Sequence, residues 1–190
     1  MSFVPPSWFD GLLWFMGHEI LVLILLCVLG LIIVGLISQI SEDGGAVVGM
    51  VLIIVILVAT PVVTSYWWYS DYEVPSVQEK VITVQEWQPR PGISTNDMGM
   101  MVVDNADDLM LVTSEGEGFY NTENFFFRKF ETRDILSELK EGGTYKIKYY
   151  GWREGFNSGF PNLLEVTEVV DETNVTNKTV SDYFGTQLTA

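Results

Sequence analysis

The chain has 190 residues, with 25 acidic and 10 basic side chains, one histidine and one cysteine, for a formal charge of −15. That length suits one domain plus an anchor rather than two independently cored domains, and a surface this acidic repels phosphate backbones, which argues against a nucleic-acid partner. Cys27 alone allows no disulfide within one chain, and His18 alone allows neither a histidine triad nor a histidine zinc site in the part of the chain that follows the apolar runs.

Ile20 to Ile37 is an apolar run without a charge, extended towards the N-terminus by Leu12 to Gly17, and Gly45 to Thr64 is a second. About twenty residues at roughly 1.5 Å rise cross a hydrocarbon layer of roughly 30 Å, so both runs are predicted to span, over about 12–37 and 45–66. Pro61 is tolerated in such a helix. The first run lacks the basic flank and small-residue cleavage site of a signal peptide and is expected to remain as an anchor. Only Ser38 to Gly44 separates the runs, so residues 1–69 are predicted to form a transmembrane helical hairpin.

Trp and Tyr collect at membrane–water interfaces. Trp8 and Trp14 precede the first run, and Tyr66, Trp67, Trp68 and Tyr69 follow the second, so a hairpin puts both groups at one interface and the Glu42–Asp43 connector at the other. The N-terminus and the C-terminal domain are then expected on the same side of the bilayer. Gly30, Gly35, Gly45 and Gly49 offer small surfaces for close helix approach, and His18–Glu19 is expected to sit at the interface.

From Asp71 onward ten cations face twenty-one acids, a net charge of −11, and the pattern becomes β-rich. Residues 70–78 read as a linker. Lys80–Trp87, Met100–Asp104, Leu109–Thr113, Thr144–Trp152 and Asn162–Val170 read as five strands, with Phe125–Phe130 as a short extension. Thr132 is placed to cap a helix carrying Ile135, Leu136 and Leu139 on one face, ended by Gly142-Gly143. The order β-β-β-α-β-β is that of a small OB-like β-barrel, predicted over 79–170 and followed by a polar tail, 171–190.

Tyr150-Gly151-Trp152-Arg153 followed by Phe160-Pro161-Asn162-Leu163 resembles a signature in small membrane-anchored bacterial and phage proteins, and the architecture is similar to that of NfeD-like proteins, in which membrane helices precede an OB domain. The resemblance implies a fold relative rather than an activity, and an extracytoplasmic domain. The sequons at Asn174 and Asn177 are compatible with that side.

In Thr144–Trp152, strict alternation puts Tyr145, Ile147, Tyr149 and Gly151 on the barrel-lining face and Lys146, Lys148, Tyr150 and Trp152 on the other. Two cations and two aromatics there, with Arg153 beside them, form the candidate ligand- or partner-binding set; the plainer reading packs Tyr150 and Trp152 against the helix or the 154–160 loop and pairs Arg153 with a carboxylate. Asp104, Asn105, Asp107 and Asp108 lack the glycine and distal glutamate of a calcium loop and read as a turn. Glu115–Gly118 reads as an acidic loop without a phosphate-binding lysine. No catalytic set, metal site or cofactor is expected. The reading is a membrane-anchored, non-enzymatic module for a protein partner or its own oligomer, with a glycan or other extended ligand as the alternative.

Overall fold

The computed structural model describes residues 3–39, 42–90, 106–153, 159–176 and 178. The chain divides at Tyr72/Glu73 into two compact units.

The first unit is two long apolar helices, α1 (Trp8–Ser38) and α2 (Glu42–Trp68), each long and apolar enough to cross a membrane. Ser7 caps α1, its Oγ accepting from Asp10 N at 3.2 Å. Small residues set the contact between the helices. A Cβ on Gly30 would lie 3.3 Å from Ile56 Cδ1, and one on Gly49 would lie 3.7 Å from Val34 Cγ2. Gly35 meets no such neighbour, so only part of the expected glycine set serves the helix contact; the side-chain environment at position 45 lies outside the described residues. Thr60 and Thr64 are buried and return their hydroxyls to the carbonyls of Ile56 and Thr60, at 2.8 and 2.9 Å. Pro61 lies inside α2 without ending it.

Residues 70–78, expected as a linker, contain short helical turns. A π-helical turn covers Tyr69–Glu73 and a 3-10 turn Val74–Ser76, and β1 begins at Gln78. Ser76 is buried and its Oγ accepts from Gly151 N at 2.8 Å.

The second unit is a five-stranded mixed sheet with one short helix, in the order β1 (Gln78–Pro89), β2 (Leu109–Thr113), β3 (Gly118–Tyr120), α3 (Thr132–Glu138), β4 (Thr144–Tyr150) and β5 (Asn162–Asp171). The ladders run β1-β2-β3-β5-β4 and return to β1. β1 is long enough to serve two neighbours: residues 78–83 pair with β4 and 84–89 with β2. The register shifts between Val84 and Glu86, an extra residue that reverses the in–out parity of everything after it. Ile82 and Val84 therefore face the core before the shift, and Trp87 after it. β3 and β5 meet at a single parallel pair, Tyr120↔Asn162.

The core joins Ile82, Val84, Trp87, Leu109, Leu111, Phe119, Tyr145, Ile147 and Leu163 of the sheet to Ile135, Leu136 and Leu139 at the helix. Burying each large apolar side chain contributes about 1.5–3 kcal/mol. That packing, and not propensity, holds the seven-residue α3, because an isolated helix that short is unstable in water. Trp87 Nε1 donates to Leu139 O at 3.2 Å and ties β1 to the end of α3.

Several elements differ from those expected of the sequence. Met100–Asp104 lies outside the described residues; among the described residues Leu109–Thr113 is the second strand. The third described strand is Gly118–Tyr120, a strand not expected from the sequence, and the acidic loop is the hairpin turn that leads into it, with Gly116 at φ +80. Thr132 is not the helix cap: Glu131 holds that position without a side-chain bond. Residues 125–130 form a turn closed by the Asn124↔Lys129 bridge rather than a strand extension. The described part of the tail is docked. Glu172 accepts from Tyr145 OH at 2.8 Å and from Lys140 Nζ at 3.2 Å, and Thr176 N donates to Glu141 O at 2.8 Å. Asn174 is exposed, while Asn177 lies outside the described residues.

Candidate functional site

The predicted face on β4 does not hold together. Its register slips between Lys148 and Tyr149, and the alternation fails there: Tyr149 is half-buried and Tyr150 is buried, 8% exposed. Tyr150 therefore leaves the surface that carries Lys146 and Lys148. Those two cations are engaged across the strands, Lys146 with Glu79 at 2.5 Å and Lys148 with Glu165 at 2.9 Å. The Glu79 carboxylate holds the Lys146 ammonium above its usual range, and the pairing holds Glu79 below its own.

Tyr150 instead enters a buried polar network centred on Asn162. Asn162 Nδ2 donates to Tyr150 OH at 2.9 Å and to Thr122 O at 3.0 Å, while its Oδ1 accepts from Thr122 N at 3.0 Å. Asn124 Nδ2 also donates to Tyr150 OH, at 2.8 Å. Burial pushes the Tyr150 phenol up. On the far side, Lys129 Nζ donates to Asn121 Oδ1 at 2.9 Å and to Asn162 Oδ1 at 3.3 Å, and Asn121 Nδ2 donates to Thr132 O at 2.8 Å. Lys129 is 6% exposed. Burial pushes its ammonium down to about 7, against the opposing pull of Asp107 and Glu123. The network links the end of β3, the Asn124–Lys129 turn, α3, β4 and β5, and its hydrogen bonds satisfy groups whose burial would otherwise be costly.

Trp152 and Arg153 lie beyond β4, where Gly151 at φ +84 turns the chain. They line an open cleft of about 430 Å³ with Tyr149, Phe119, Phe160 and the hairpin turn. Arg153 Nη1 donates to Gly159 O at 2.8 Å and the guanidinium stacks 3.8 Å over the Phe160 ring. Phe160 packs edge-on against Tyr120 at 5.3 Å, and Arg90 covers the other ring at 4.5 Å. Gly118 makes this possible, because a Cβ there would come within 2.8 Å of the Phe160 ring. Gln78 and Glu117 add polar groups to the cleft. Glu117, with Glu115, is bonded to Lys80.

Of the predicted set, Trp152 and Arg153 share the cleft, Lys146 and Lys148 are paired on the strand surface, and Tyr150 is structural. Sequence reading missed Lys129, Asn121 and Asn162 as a unit. The signal for Lys129 was its place in the phenylalanine-rich run 125–130, where a solvated cation is out of keeping with its neighbours. Asp104 and Asn105 lie outside the described residues, and among the described residues no three metal-ligating side chains cluster.

The predicted aromatic belt is drawn together within the first unit. Trp14 meets Trp68 edge-on at 5.3 Å, and His18 stacks on Trp14 at 3.9 Å and meets Trp67 at 5.1 Å. Tyr66 and Tyr69 lie 6.1 Å apart, and Trp8 lies 6.4 Å from Phe9. His18 Nδ1 is also 2.8 Å from Trp14 O.

No protein-family model, curated protein or solved structure matches the chain.

Proposed function

We propose that the chain is a membrane-anchored, non-enzymatic interaction module, in which a spanning helical hairpin holds an OB-type barrel domain whose cleft engages a protein partner. The OB reading is supported by the helix between the third and fourth strands and by the ladder order β1-β2-β3-β5-β4. The functional reading rests on the cleft, where Trp152, Tyr149, Phe160 and Arg153 converge. Aromatic rings and arginine dominate binding energy at protein interfaces. By the count of two spans, the N-terminus and the β domain occupy one side of the membrane.

A photo-crosslinking amino acid at position 152, in the full chain in its native membrane, tests the proposal. Adducts with a second polypeptide are expected, and the same probe at the exposed Val169 should give none. A chain that forms no polypeptide adduct from position 152 across several conditions overturns the reading.

The ring faces of Tyr149 and Trp152 beside Gln78 and Glu117 favour a second reading, a glycan or other extended ligand. Binding of the detergent-solubilised chain to a glycan array, lost in Trp152→Ala, would select it over the first.

A further inference from the structure

The turn over residues 124–130 presents what folded surfaces usually hide. Asn124 and Lys129 exchange two backbone hydrogen bonds of 3.0 Å, and Asn124 Oδ1 accepts from Phe126 N at 2.9 Å and Phe127 N at 3.1 Å. Arg128 turns the tip at φ +55. Two side chains root the turn in the domain: Phe127 lies 4.4 Å from the Tyr150 ring, and Lys129 reaches Asn121. With those fixed, Phe125 is left 77% exposed and Phe130 54%, and Arg128 is exposed between them.

Exposed apolar groups held this firmly mark an interaction surface. Two phenyl rings and a guanidinium match the interfacial layer of a bilayer, where rings enter the acyl boundary and cations meet phosphate. The path of the chain favours lipid over protein as the occupant. Glu73 directly follows Tyr72, whose ring lies 4.5 Å from that of Trp68 in the aromatic belt, and the Glu73 Oε2 accepts from Asn124 Nδ2 at 3.4 Å. Three residues on, Ser76 is bonded to Gly151, the neighbour of Tyr150. The base of the turn is therefore bonded to the first residue past the belt, and one residue advances the chain by only about 3.8 Å.

We propose that Phe125, Arg128 and Phe130 insert into the headgroup layer of the bilayer that the helices cross, giving the β domain a second, reversible membrane contact. This rests on the membrane reading of α1 and α2. Spin labels on the full chain in phosphatidylcholine nanodiscs test both separately: one on the native Cys27, exposed on α1, and, in a Cys27→Ser background, one on Phe125→Cys or on Val169→Cys, a control 51% exposed on β5. Relative to a water-soluble nickel chelate, oxygen is expected to collide more with the labels at 27 and 125, and less with the label at 169. A lipid-exposed label at 27 with a water-exposed label at 125 overturns the insertion alone, whereas a water-exposed label at 27 overturns the membrane reading. A label at 125 shielded from both reagents means a protein contact and also overturns insertion. Near-UV circular dichroism unchanged from wild type confirms that Phe125→Cys folds.

Discussion

The phenolic oxygen of Tyr150 lies 2.9 Å from Asn162 Nδ2, and the two residues face each other in the β4–β5 register. The segments Tyr150–Arg153 and Phe160–Leu163 thus meet in one hydrogen bond. Tyr150→Phe keeps the ring against Phe127 but withdraws the acceptor shared by Asn162 and Asn124, so a loss of about 1–3 kcal/mol is expected. Asn162→Leu should cost more, because it also strips Thr122 and Lys129 of partners. Denaturant unfolding of the full chain in detergent, followed by near-UV circular dichroism, gives both values; equal stability of Tyr150→Phe and wild type would remove this bond from the account of the fold.

Lys129 gives the domain a signature in pH. Its ordinary value of 10.5 falls to about 7 in the folded chain. Below about 7 both folded and unfolded chains carry the proton, and the burial penalty is full. Between about 7 and 10.5 only the unfolded chain binds it, so this group makes stability rise with pH across that window. Whatever the constant offset from orphaned Asn121, the stability of wild type relative to Lys129→Met should increase from neutral to alkaline pH. Paired thermal melts across the window measure it, and a flat difference contradicts the assignment.

Gly118→Ala tests how the cleft is built. Its Cβ would stand 2.8 Å from the Phe160 ring and 3.2 Å from Met110 Sδ, so the ring must move and carry the stacked Arg153 with it. Crosslinking from position 152 is expected to weaken while the chain remains folded. Full retention of the adducts would mean that Phe160 does not shape the binding surface.

The hairpin predicts a labelling pattern. Single cysteines at Ser2, Ser41 and Ser181 in a Cys27→Ser background, treated with an impermeant reagent in sealed vesicles, should label alike at 2 and 181 and oppositely at 41. Different labelling at 2 and 181 would refute two spans.

The apolar runs announced both helices because about twenty uncharged residues leave few alternatives. Strands rich in β-branched and aromatic residues were legible for a similar reason, as at Leu109–Thr113 and Asn162–Asp171. Gly118–Tyr120 was not, since three residues carry no period. Nor was the inward turn of Tyr150, because a bulge reverses parity without changing the residues that strict alternation is read from. The Lys129 network was hidden by distance: its hydrogen bonds join residues 8 and 33 positions apart, and no local pattern encodes such a meeting. Asn162 was legible as the start of a strand, yet its role as a hub needed the fold.

A circuit of strands is only as continuous as its shortest ladder, and here β3 and β5 share one pair, Tyr120↔Asn162. Every other junction is a zipper of three or more rungs; this one is a latch. Amides along it should exchange with deuterium before those of the β1–β4 ladder. Because the latch residue Asn162 also bonds Tyr150 and Lys129, whatever loosens that network is expected to loosen the seam with it.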